Sequence, residues 1–379
     1  MTTDTGNPEN QTAGPAPLRI LIVDDSALIR RFLSDALGAE PGFVIAGTAG
    51  EGRLALSRIP VLKPDILTLD VEMPGMDGLQ TLLELRRIYP KLPVIMVSSL
   101  TSAGAATTLE ALERGASDAV CKPLAGSDPT VMVRELVAKI RALTGRPGAS
   151  GVRPAAPSSP MIPPKPRLFA GAFASRVDLV VIGISTGGPS ALAKLIPRLP
   201  VEVPVPIVLV QHMPPVFTRQ LAERLAGRSV VKVAESFAGA ILAPNQVWIA
   251  KGGQHLTIAK RNNVLVLEQN DAPPEHGCRP AVDQLFRSVA GFMGANVLGV
   301  VLTGMGEDGK SGSAAIRQAG GQVFAQDEAT SVVWGMPGAV ARANLADKLV
   351  PIDAVAGEIL IRLKAGRPGY LGHPRDAMA

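Results

Sequence analysis

The sequence predicts an α/β chain of two parallel-sheet units: an N-terminal (βα)5 unit and a C-terminal doubly wound parallel unit with a β-hairpin insertion. Three observations predict it. Short apolar runs alternate with amphipathic stretches on both sides of a proline-rich break. Apolar residues make up 46% of the chain but aromatics only 3%, so Val, Ile, Leu, Ala and Met must fill the cores, which suits strands buried on both faces. Finally, 379 residues are long for a single domain.

Residues 1–17 are polar, lack the basic-then-apolar pattern of a signal segment and read as a disordered tail. From residue 18 to 143 the runs LRILIVDD, FVIAGTA, DILTLD, PVIMVSS and DAVCKP read as strands with helical stretches between them. Ser26 opens the first helix, with Leu28, Ile29, Phe32, Leu33, Ala36 and Leu37 expected on one buried face. Residues 144–174 break the pattern. The stretch 145–167 holds seven prolines and no acid, the composition of an extended linker. Over 175–364 the α/β pattern resumes with VDLVVIGIS, VPIVLVQH and ANVLGVVLTG. VWIAKGGQHLTIAKRNNVLVLEQ alternates and turns at Lys260–Asn263, and is expected to be the hairpin insertion. Residues 365–379 read as a second disordered tail.

Composition excludes several classes of function. A net charge of +5 with no Lys/Arg stripe interleaved with aromatics argues against nucleic-acid binding. No apolar run approaches the roughly 18 residues of a membrane span. Cys121 and Cys278 stand far apart, which is neither a disulfide framework nor a metal-ligand spacing. The expectation is a soluble, cytoplasmic protein.

In the first unit, Asp24 and Asp25 end the first strand, Asp70 the third, Ser98 the fourth and Lys122 the fifth. In a parallel sheet these ends share one edge, where ligands bind. Three carboxylates converging there repel one another unless a hard divalent cation joins them. Lys122 adds a point charge suited to a phosphate. LIVDDSALIR, LTLDVEMPGMDG, VSS and CKP resemble the response-regulator receiver family, which has a flavodoxin-like fold. The resemblance implies that Asp70 is the phospho-acceptor and that Mg²⁺ is held by Asp24, Asp25, Asp70 and the Glu72 carbonyl. It makes Ser98 the switch hydroxyl and Lys122 the phosphate contact. The family usually has an aromatic switch residue three positions before the lysine; here Ala119 stands there.

In the second unit, GISTG at 183–187 matches a nucleophile elbow between a strand and a helix, with Ser185 exposed at the turn. His212 ends the next strand at the same sheet edge and is the best placed of four histidines to act as base. Asp308 and Glu307 follow a third strand and offer the orienting acid; Asp308 is favoured. The order Ser, His, Asp differs from that of α/β-hydrolases. GISTGG, QHMPPVFT, CRPAVDQLF, LTGMGEDG and GMPGAV resemble the chemotaxis methylesterase family. That resemblance implies a protein-glutamate methylesterase and glutaminase with Ser185 as nucleophile, His212 as base and acid, and Asp308 as orienter. Backbone amides at Thr186 and Met305 would bind the oxyanion. It further implies methyl-accepting chemoreceptors as substrate, a chemotaxis histidine kinase as phosphodonor and no cofactor for the ester chemistry. Two alternatives stand beside it: the same chemistry on another sensory protein, and a docking module that competes for the kinase. Intact Ser185, His212 and Asp308 argue against the second.

Overall fold

The computed structural model describes residues 16–123, 126, 128–145 and 176–367. The proline-rich linker lies outside the described residues from residue 146 onward, Thr144 being the last residue of a helix, and so do the two tails except at their inner ends.

The first unit runs β1 (Leu18–Val23), α1 (Ala27–Gly38), β2 (Phe43–Ala49), α2 (Gly52–Leu62), β3 (Ile66–Asp70), α3 (Gly78–Ile88), β4 (Val94–Ser98), α4 (Ser102–Glu113), β5 (Asp118–Cys121) and α5 (Pro129–Thr144). Its strands are parallel in the order β2-β1-β3-β4-β5. Apolar runs such as Ile20–Val23 and Ile66–Leu69 are buried because helices cover both faces of the sheet. The Ser26 hydroxyl caps α1 by accepting from the Ile29 N–H. Leu33 and Leu37 of α1 are buried, but Leu28 is 76% exposed and does not belong to the core face. It lies in the first turn, about 180° around the helix from Leu37 at 3.6 residues per turn, and so faces away from the core.

The second unit begins with β6 (Leu179–Ile184), α6 (Gly188–Leu195), β7 (Ile207–Gln211), α7 (Pro215–Ala226), β8 (Lys232–Glu235) and β9 (Gln246–Ile249). It continues with β10 (His255–Arg261), β11 (Val264–Asn270), α8 (Val282–Met293) and β12 (Val297–Val301). It closes with α9 (Lys310–Gln318), β13 (Gln322–Gln326), α10 (Met336–Arg342), β14 (Lys348–Val350) and α11 (Ile352–Lys364). Seven parallel strands form one sheet in the order β14-β13-β12-β6-β7-β9-β8.

The hairpin is shorter than the sequence pattern predicts. Only β10 and β11 pair antiparallel, across Asn262 and Asn263, both at positive φ. VWIA belongs to β9, which pairs parallel with β7 and β8 because Val247 and Ile249 are needed in the main core. At the C-terminal end of the described residues, Arg367 reaches back to the Asp178 carboxylate at 3.0 Å.

Strand order reverses between β6 and β12. A crevice therefore opens beyond their carboxyl ends, as at other switch points in doubly wound sheets.

Candidate active site

That crevice gathers the chemistry of the second unit. Ser185 follows β6, His212 follows β7, and the loop after β12 carries Asp308. Gly187 at φ 76° makes the turn into α6. Gly304 admits close contact, since a Cβ there would lie 2.8 Å from the Ser185 Cβ.

The His212 Nε2 lies 2.9 Å from Asp308 Oδ2. Asp308 is 2% exposed and accepts backbone N–H groups from Val282 at 2.7 Å, Asp283 at 2.8 Å and Gly309 at 2.9 Å. The first two are the N-terminal amides of α8, so the helix dipole also favours the carboxylate. Burial pushes the Asp308 carboxyl up, but His212 and these amides outweigh it and hold it below its ordinary range. Burial likewise opposes charge on His212, yet Asp308 and the neighbouring Cys278 sulfur raise the ring to about 9.

Glu307 is exposed and pairs with Lys310 at 2.9 Å instead of facing His212. Ser185 is half-buried. Among the described residues no hydrogen bond joins it to His212, a contact that often tightens only with substrate bound. The Thr186 and Met305 N–H groups make no hydrogen bond among the described residues, so both remain available as donors.

At the carboxyl edge of the first sheet, one carboxylate oxygen each from Asp24, Asp25 and Asp70 lies within 4.8 Å of the others. Lys122 Nζ sits 2.8 Å from Asp70 and 3.0 Å from Asp24. Burial and the Asp24 charge push the Asp70 carboxyl up to about 6 against the pull of Lys122. The buried Asp24 Oδ2 lacks a well-formed hydrogen bond. An all-oxygen donor set with excess negative charge fits a hard divalent cation. The Glu72 N–H approaches Asp70 Oδ1 at 3.4 Å. Gly78 lets α3 start against this edge, since a Cβ there would lie 2.0 Å from the Asp70 carbonyl oxygen. Ser98 is fully buried, and its hydroxyl accepts from Thr108 of α4 at 2.7 Å.

Comparison with known proteins places both units. A CheB methylesterase model matches residues 180–359, and a response regulator receiver domain model matches residues 20–134. A protein-glutamate methylesterase/protein-glutamine glutaminase of Trichodesmium erythraeum is 44% identical over 349 residues, 91% of this chain and 99% of that protein. The chain belongs to this methylesterase family. A family member from Nocardioides is 46% identical over 364 residues, covering 93% and 98%. The solved CheB methylesterase catalytic domain of Thermotoga maritima is 38% identical and covers 49% of this chain and 99% of that one, with a TM-score of 0.48.

In this family member the receiver lies over the catalytic crevice. Helix α4 packs on α6 and α7. Glu113 at its end holds Arg224 through two bonds of 2.8 and 2.9 Å and Arg228 at 2.7 Å. Gln220 donates to the Ser102 carbonyl at 2.6 Å. Asp118 of β5 accepts the Thr186 hydroxyl at 2.6 Å, one residue from Ser185, and is itself held by Lys139. Ala119, in the usual aromatic position, accepts from Lys139 through its carbonyl at 2.6 Å. The cavity left between Ser185, His212, Gln211 and the receiver is about 50 Å³, room for roughly three to five waters at about 10–15 Å³ each.

Sequence reasoning missed Gln211, the Asp118–Thr186 bond, and Cys278 beside His212. Cys278 and Gln211 stood inside quoted motifs, but no spacing rule reveals contacts made through space. A second cluster, Glu275, His276 and Asp283, is engaged by protein partners: Arg287 pairs with Glu275, and the Gly312 N–H with Asp283. Among the described residues no helix is long and apolar enough to cross a membrane.

Proposed function

We propose that this chain is a phosphorylation-controlled serine hydrolase that cleaves γ-methyl glutamyl esters, and deamidates glutamines, on methyl-accepting chemoreceptors. The observation that carries the reading is the buried His212–Asp308 pair at 2.9 Å beside Ser185, with free amides at Thr186 and Met305. Ser185 Oγ attacks the acyl carbon while His212 takes its proton. The oxyanion then faces the Thr186 and Met305 amides. His212 returns the proton to the leaving methanol or ammonia. Water, deprotonated by the same ring, releases the acyl group as glutamate and restores Ser185.

Control comes from the receiver. Asp70 takes a phosphoryl group from a chemotaxis histidine kinase. Asp24, Asp25, Asp70 and the Glu72 carbonyl would hold Mg²⁺, which when bound neutralises charge around the transferred phosphate. Lys122 and Ser98 meet the phosphoryl oxygens. Ser98 leaves Thr108 to do so, and this biases α4 away from the catalytic unit. The small cavity of about 50 Å³ left beside Ser185 and His212 supports exclusion of a receptor helix by the unphosphorylated receiver. The reading is tested by methanol release from a methylated receptor with and without a phosphodonor. Release that is insensitive to the donor contradicts the control, and no release at all contradicts the chemistry.

A further inference from the structure

Three of the four polar backbone groups of Ser185 and Thr186 are held. Ser185 N–H donates to the Thr303 carbonyl at 3.0 Å. The Ser185 carbonyl accepts from Gly188 N–H at 2.8 Å and from Gln211 Nε2 at 3.0 Å. The Thr186 carbonyl accepts the Thr303 hydroxyl at 2.9 Å. Only the Thr186 N–H is free among the described residues.

The Ser185 carbonyl and the Thr186 N–H belong to one planar peptide and point in opposite directions. Fixing the carbonyl therefore aims the N–H. We propose that Gln211 is a positioning residue, whose carboxamide locks the Ser185–Thr186 peptide plane so that the Thr186 N–H faces the developing oxyanion. The inference rests on the serine-hydrolase reading above.

Gln211 is suited to this by where it sits. It ends β7, paired in register with Ile184 beside the nucleophile, and is 2% exposed. Its Nε2 also donates to the His212 carbonyl at 3.3 Å, so one amide ties the nucleophile turn to the strand that carries the base. The amide orientation follows from its partners, since two carbonyls can be met only by NH₂. Accepting a bond at the carbonyl also polarises the peptide and strengthens its N–H as a donor. The opposite side of the amide lies against Gly188, where a Cβ would come within 1.9 Å of Oε1. That oxygen is buried without a partner. Packing alone gives no reason to keep a polar residue whose acceptor goes unused; the donor side supplies one.

The test uses the full chain, activated with a small acyl phosphate, acting on a methylated receptor. Gln211→Met keeps the length and removes the donor. We expect kcat to fall roughly 10²-fold with KM within about twofold, because the lost interaction acts only on the transition state. Affinity for an alkylboronic acid, whose Ser185 adduct carries an oxyanion, should fall in step. The pH midpoint set by His212 should stay in place, since its ring partners are untouched. Unchanged kcat, a loss confined to KM, or a lower kcat with unchanged boronate affinity overturns the inference. If Gln211→Met does not fold, isosteric Gln211→Glu at alkaline pH carries the test: its carboxylate repels both carbonyls, and wild-type turnover there overturns the inference equally. Ser185→Ala in the same assay separates the two claims. If it stays active, the serine reading itself fails. If it is inactive while Gln211→Met runs at full rate, only the inference fails.

Discussion

His212 stands between two demands: it must be neutral to accept a proton, yet Asp308 favours its charge. With the ring raised to about 9, turnover of the phosphorylated chain should rise with pH above the ordinary imidazole range and reach half its plateau near that value. A limb centred at or below about 6.5 would contradict this. Because the folded-state value lies above the unfolded one, the His212–Asp308 pair stabilises the fold fully below about 6.5 and loses that contribution as pH rises through about 9. Asp308→Asn should move the limb down and lower kcat by about 10³–10⁴-fold, through loss of tautomer control. A crippled Glu307→Gln beside a mild Asp308→Asn would reassign the acid. Ser185→Ala should end methanol release yet leave Asp70 phosphorylation intact, since the two centres occupy separate sheets. The placement of Ser185, His212 and Asp308 at one sheet edge was legible because each follows an apolar strand in a chain with only four histidines. Gln211 was not, because nothing in its spacing separates a clamp from a strand end.

Helix α4 joins the two centres. Its first two turns hold the Ser98 hydroxyl through Gly104 and Thr108, and its last residue, Glu113, holds Arg224 and Arg228. Glu113→Ala removes both arginine contacts, worth about 1 kcal/mol at this half-exposed boundary. Turnover of the unphosphorylated chain should rise about fivefold, with the phosphorylated rate little changed. Equal basal rates for variant and wild type would show that α4 does not hold the closed form. Strands were the elements best read from sequence, since apolar runs closed by acids, Ser or His mark a buried parallel strand and its functional edge. The hairpin was overdrawn because β9 and β10 share an alternating pattern, and only pairing with β7 tells them apart. Leu28 misled for a different reason: an apolar residue was counted with the core face although helical periodicity sets it about 180° from Leu37.

Across the molecule, one apolar cluster runs from the receiver core through Ala111 and Leu112 of α4 into the catalytic core. Closing therefore buries a continuous surface, and phosphorylation must offset only the difference between two packings. A fragment from residue 176 to 367 should turn over a methylated receptor faster than the unphosphorylated full chain at matched concentration. Asp70→Asn should hold the full chain at its slow rate in the presence of phosphodonor. A fragment no faster than the full chain would rule out occlusion and require positive activation.

With Ser185 as the proposed nucleophile, the cavity of about 50 Å³ beside it also makes the serine a recorder of motion. On the proposed occlusion, a phosphonylating reagent reaches Ser185 only when the receiver moves aside. Each covalent hit on Ser185 thus marks one excursion of the receiver, whatever the substrate and whether or not any methyl group is present. At saturating reagent the labelling rate ceases to depend on concentration and equals the opening rate of the resting protein. On this reading, hydrolysis in the unstimulated cell has a floor set by how often the two domains part, and not by the chemistry between them.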